Sequence, residues 1–180
     1  MNQKRTYKWI AGSILAATLF GLIFAAAPVS AQGNERRGGR GSSRGSIQVT
    51  PLSAEEEAAL QEAILEEYGA LNTYQAVIDQ FGNTIPFSRV VNAEQQHVNV
   101  LVRLAERYGV DVPVNPGLTE PLAIDTVAEA CAIGVSAEIA DADLYTELMK
   151  DVTHQDIWQV FTNLQSASLN QHLPAFEQCD

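Results

Sequence analysis

Basic residues are scarce in the part of the chain that can fold. Lys and Arg number 11 against 22 Asp and Glu, a net charge of -11. Beyond Gly45 only Arg89, Arg103, Arg107 and Lys150 are basic, against 21 acidic residues. Nucleic-acid binding needs a basic face, so it is excluded. Two cysteines are too few for a disulfide-dense scaffold or a four-thiolate zinc site. With 12 glycines and 7 prolines the chain is neither collagen-like nor wholly disordered. No long segment alternates apolar and polar residues with period two, so no sheet is expected. At 180 residues one folded domain is the default.

Three unlike segments follow one another. Lys4, Arg5 and Lys8 precede an uncharged, apolar run from Trp9 to Val29, and Val29-Ser30-Ala31 supplies small residues before Gln32. This is the layout of a secretory signal, residues 1–31, cleaved near Ala31–Gln32. The expected location is secreted, periplasmic or cell-envelope, with no stable membrane insertion after cleavage. The apolar run is near the spanning minimum of about 17–20 residues, so a retained anchor is the other reading. Residues 32–46, rich in Gly, Ser and Arg, read as a disordered linker. Residues 47–180 carry the folded domain.

That domain reads as all-α. Ser53 with Glu56 forms a capping box. Leu60, Ile64, Glu67, Leu71, Tyr74, Ile78 and Phe81 then follow at spacings of four and three, and Gly82 ends the run. Pro86 suits a first helical turn. The second stripe is Val90, Glu94, His97, Leu101, Leu104 and Tyr108, ended by Gly109. The third is Val127, Cys131, Gly134, Glu138, Asp141, Tyr145 and Leu148. Thr153 with Asp156 predicts the last helix start. Ile157, Phe161, Leu164, Ser168, Leu169, His172 and Phe176 follow, with a kink expected at Pro174. The pattern predicts a four-helix bundle with its longer connection between helices two and three, where a crossover belongs.

Glu67, Glu94, His97, Glu138 and Asp141 fall on these apolar stripes. Buried carboxylates are rare unless paired or bound to metal, and no Lys or Arg shares a stripe with them. A bound cation resolves the repulsion. Glu94 and His97 are one turn apart on one face, as are Glu138 and Asp141. In carboxylate-bridged bundles two helices each give a Glu and two give Glu-x-x-His.

With these motifs the segment resembles the ferritin-like superfamily, and its first and third helices resemble rubrerythrin. There the ligand Glu precedes a Tyr by seven residues, as in Glu67–Tyr74 and Glu138–Tyr145. Glu138-x-x-Asp141 is similar to the third-helix Glu-x-x-Glu of that group. Gly134–Tyr145 and Ser166–Cys179 look most like an uncharacterised family of secreted bacterial ferritin-like proteins, a domain of unknown function. Helix four departs, with Leu169 where Glu-x-x-His would need Glu. The implied metal ligands are Glu67, Glu94, His97, Glu138, Asp141 and His172, holding one or two ions. Hard oxygen donors with imidazole suit iron, manganese or zinc, and the resemblance puts iron first. It implies an oxidase, ferroxidase or peroxide-reducing activity, with Tyr74 and Tyr145 as hydrogen-bond or one-electron donors beside the ligands. The alternative is a non-catalytic metal-binding, buffering or structural interaction bundle. Metal ions are the expected partners, a homodimer is a further expectation, and the electron donor is unspecified.

If helices three and four are antiparallel and Glu138 faces His172, Cys131 and Cys179 stand at one level. Each is seven residues from its ligand, about 10.5 Å along the axis. A Cys131–Cys179 disulfide is therefore expected in an oxidising compartment.

Overall fold

The structure is a computed structural model, and it describes residues 50–179. The signal and linker assignments, residues 1–31 and 32–46, lie outside the described residues. All the regular structure described is helical. The elements are α1 (Ala54–Phe81), α2 (Phe87–Tyr108), α3 (Val127–Leu148), α4 (Gln155–Ala167) and α5 (Leu173–Glu177). A π-helical turn, Ser168–His172, joins α4 to α5, so the two form one irregular fourth helix. None of the helices among the described residues is long and apolar enough to cross a membrane.

The helix ends follow local chemistry. Ser53 accepts from the Glu56 N–H while Glu56 reaches back to the Ser53 N–H. Gly82 and Gly109 both take positive φ and stop α1 and α2. The fourth helix starts within a residue of the expected place, but Thr153 does not cap it. His154 is the N-cap and makes no side-chain cap bond. Thr153 donates to Glu56 instead, and Asp156 accepts from Tyr108 and Arg107.

Two apolar clusters mark the ends of the bundle. One gathers Leu60 and Ile64 with Leu101, Leu104, Leu148, Ile157 and Phe161. The other gathers Tyr74 and Val77 with Phe87, Val90, Cys131 and Phe176. The first cluster therefore holds the starts of α1 and α4 and the ends of α2 and α3. Helices α2 and α3 run the same way, and residues 109–126 must travel the length of the bundle. Val110 sits in the first cluster and Ile124 in the second. Side chains of α1 hold this crossover at three heights. Gln61 donates to the Asp111 carbonyl, Asn72 to Asn115 and Gln80 to the Ile124 carbonyl.

At the second end Phe176 packs on Tyr74 and Phe87, with ring centroids 5.0 Å from each. Gly134 makes room for it. A Cβ there would lie 2.5 Å from Phe176 Cδ1, against a ring that its neighbours hold. Cys131 and Cys179, with Cα atoms 5.9 Å apart, are joined by a disulfide that fastens α3 to the end of the fourth helix. Gly134→Ala should therefore destabilise the fold by about 1–3 kcal/mol, despite the better helix propensity of alanine. Urea midpoints of the two proteins check this, and an unchanged or raised midpoint would contradict the packing.

Candidate metal centre

Between the two clusters every helix turns a polar side chain inward. Glu67 on α1, Glu94 on α2, and Glu138 and Asp141 on α3 are buried, as are Ser168 and His172 on the π turn. His97, one turn after Glu94, is half-buried. Its Nδ1 lies 3.1 Å from Glu67 Oε2 and 2.9 Å from Glu94 Oε2. His172 Nδ1 lies 3.0 Å from Glu94 Oε1 and 3.3 Å from Glu138 Oε2. Two donor groups result, Glu67/Glu94/His97 and Glu94/Glu138/His172, with Glu94 common to both. The imidazoles stack with centroids 5.3 Å apart.

The outer carboxylates are held by a reciprocal exchange. Tyr145 on α3 donates to Glu67 Oε1, and Tyr74 on α1 donates to Glu138 Oε1, each at 2.5 Å. Each tyrosine thus serves the glutamate of the other helix and leaves that glutamate's second oxygen facing an imidazole. The structure brings Glu67, Glu94, His97, Glu138 and His172 into these groups. Asp141 belongs to neither. It accepts from Ser168 Oγ at 2.5 Å, and its Oδ1 has no hydrogen-bond partner.

Leu169 requires a correction. It is 42% exposed and does not occupy the place of a bridging carboxylate. Pro174 lacks the N–H that an α-helix would offer to the carbonyl four residues back. The chain widens into the π turn instead, with the Leu173 N–H reaching the Ser168 carbonyl. Counting four residues back from His172 then leads to Ser168, which faces Asp141. The kink expected at Pro174 is this widened turn.

The donors fit a divalent ion. Metal–donor distances of about 2.0–2.2 Å put neighbouring donors about 3.0–3.4 Å apart. That is close to the imidazole-to-carboxylate spacings of 2.9–3.3 Å, and all donors of a group lie within 4.8 Å of one another. His172 Nδ1 is buried and has no hydrogen-bond partner, although oxygens of Glu94 and Glu138 lie 3.0 and 3.3 Å away. Among the described residues the Lys and Arg ion pairs, Arg107–Asp156 and Lys150–Glu147, are at the surface. Neutralising charge at the centre comes from protons or from metal.

The profile of a family described as an uncharacterized protein domain, DUF2202, matches residues 63–179. The chain belongs to this family. All six carboxylate and imidazole residues and both cysteines fall in the DUF2202 span. Among curated proteins none matches the chain. Two solved structures are similar. One is a hypothetical protein of Methanococcus jannaschii, 23% identical, TM-score 0.63, covering 73% of this chain and 82% of that one. The other is a conserved hypothetical protein of Mycobacterium tuberculosis, 15% identical, TM-score 0.62, covering 71% of this chain and 98% of that one. At these identities the likeness is one of fold.

Electrostatics in the DUF2202 core show protons in the role of cations. Burial disfavours charge on His97 and His172, but the carboxylates around them outweigh it and raise them to about 10 and about 9. Burial and neighbouring carboxylates push Asp141 up to about 7 and Glu67 well above its usual range. Burial and Glu138 raise Tyr74, and burial and Glu67 raise Tyr145, so both hydroxyls keep their protons. Glu94 goes the other way. Burial opposes its charge, but the two imidazoles hold it at about 2.

The sign for stability follows. Groups raised on folding contribute most below their unfolded values, near 4 for carboxyls and 6.5 for His. That contribution is lost as pH rises through the folded values, about 7 for Asp141 and 9–10 for the histidines. Glu94, being lowered, contributes fully above about 4.5 and loses that contribution only as pH falls toward 2. The metal-free protein should therefore melt lower at pH 9 than at pH 6. Saturating manganese should reverse the trend, because ligands must lose protons to bind. Circular-dichroism melts test this, and pH-independent melting in both forms would contradict it.

Proposed function

We propose that the protein is an exported, ferritin-like metalloprotein with two divalent ions, one in each donor group. Iron is the first choice, with manganese or zinc the other fits. It acts as a metal-dependent oxidoreductase toward oxygen or peroxide. The observation that carries this reading is Glu94, which offers one oxygen to each imidazole-containing group. The rubrerythrin-like placement of Tyr74 and Tyr145 beside Glu138 and Glu67 supports it. Export rests on residues 1–31 as a cleaved signal and 32–46 as a linker ahead of the domain at 47–180. The disulfide is compatible with that location.

Bound iron would supply the one-electron chemistry. The chain's own residues orient and insulate it. Tyr145 and Tyr74 fix the rotation of the outer carboxylates, and an apolar cluster flanks the centre on either side. Ser168 holds one oxygen of Asp141, leaving Oδ1 available to a proton beside the centre. Elemental analysis of protein purified from cells should find about two iron per chain, with an absorption spectrum that changes on adding peroxide. A folded protein that stays metal-free in excess iron(II) would overturn this reading.

A further inference from the structure

A cleft of about 590 Å³ opens between the start of α2 and the end of the fourth helix. That is room for a small organic molecule. Its walls are apolar: Ile85, Pro86, Val90, Ala93 and Ala175. Ile85 is 62% exposed at the rim, Ala93 and Ala175 are part-exposed, and Val90 at 4% forms the floor. Gln171 and Gln178 add neutral amides, and the cleft reaches His172 of the second donor group.

Its charge is unlike that of the rest of the domain. Residues 46–180 carry 21 acidic groups, yet none of the cleft's lining residues is acidic. Its exposed cation is Arg89, while His172 at the inner end faces Glu94 and Glu138. Of the domain's other basic side chains, Arg107 and Lys150 pair with Asp156 and Glu147, and Arg103 lies outside the cleft lining. Arg89 makes no ion pair among the described residues. A guanidinium without a partner beside an apolar wall selects an anion with an apolar body. The surrounding negative potential disfavours a doubly charged phosphate and tolerates a single charge.

We propose that this cleft binds a small organic monocarboxylate. Its carboxylate sits on the Arg89 guanidinium, and its apolar body lies against Val90, Ala93 and Ala175, beside His172. The site does not depend on a loaded metal centre.

Hexanoate titrated into the metal-free protein, followed by nitrogen-15 NMR, is the test. Saturable shifts should appear at residues 85–93 and 171–179. Arg89→Gln should weaken binding at least about tenfold, the worth of one charge-assisted hydrogen bond, and Arg89→Lys should recover part of it. Hexanol should bind more weakly than hexanoate. The same spectra show that the variants are folded. Hexanoate binding unchanged in Arg89→Gln, or the absence of saturable shifts, would overturn the proposal. Since no metal is used, either result leaves the metal reading to its own test.

Discussion

Glu94→Ala is expected to abolish metal binding at both donor groups at once. No other side chain belongs to both, and each of its oxygens faces a different imidazole. The outer positions should be separable. Glu67→Gln should lose the ion of the first group and retain the second, and His172→Gln should do the reverse. His97→Ala should also lose metal at the first group. Helix content should persist throughout, because the two apolar clusters on either side of the centre are untouched by these substitutions. The readout is metal per chain after dialysis, beside a far-ultraviolet spectrum. Glu94→Ala protein with the wild-type metal content would end the assignment.

The largest stability loss is expected outside the centre, at Glu56. Its side chain is 2% exposed and accepts five hydrogen bonds. Oε2 takes the Ser53 N–H at the start of α1. Oε1 takes the Thr153 and His154 N–H groups, the Thr153 hydroxyl and His154 Nδ1, at 2.7–2.9 Å. Burial opposes its charge, but these donors hold the carboxyl far below its usual range. Glu56→Ala removes a helix cap and the acceptor for the α3–α4 turn together. The expected cost is about 3–5 kcal/mol, in the range for breaking a buried charged network from one side. Because the folded value is depressed, this contribution is present above about pH 4.5 and lost as pH falls further. Urea unfolding at pH 7 measures it, and metal content should not change. A loss under about 1 kcal/mol would show that water replaces the carboxylate readily.

Glu56 also shows where sequence patterning stops. Its cap to Ser53 is local and could be read three residues away. Its bonds to Thr153 and His154 join positions 97 and 98 residues apart, which no spacing rule reaches. The Thr153–Asp156 pair imitated a cap, but the tertiary acceptor on α1 won its donors. The inward positions of Glu67, Glu94, Glu138, Asp141 and Tyr145 were legible because a regular helix repeats every 3.6 residues. Leu169 departs from that pattern, while Ser168 keeps its inward place. Three residues from Leu169 to His172 is a same-face step in a regular helix, but the π turn carries Leu169 outward and leaves Ser168 and His172 inside. The signal available was Pro174, whose missing N–H fell within one turn of His172.

The two donor groups also differ in how much of the chain must be in place to build them. Glu67, Glu94 and His97 all belong to the α1–α2 hairpin, closed by a short turn. Glu94, Glu138 and His172 need the crossover, α3 and the π turn as well. Loop closure of the first kind comes early and of the second late. If folding nucleates in that hairpin, an ion in the first group should speed refolding, whereas an ion in the second group should chiefly slow unfolding.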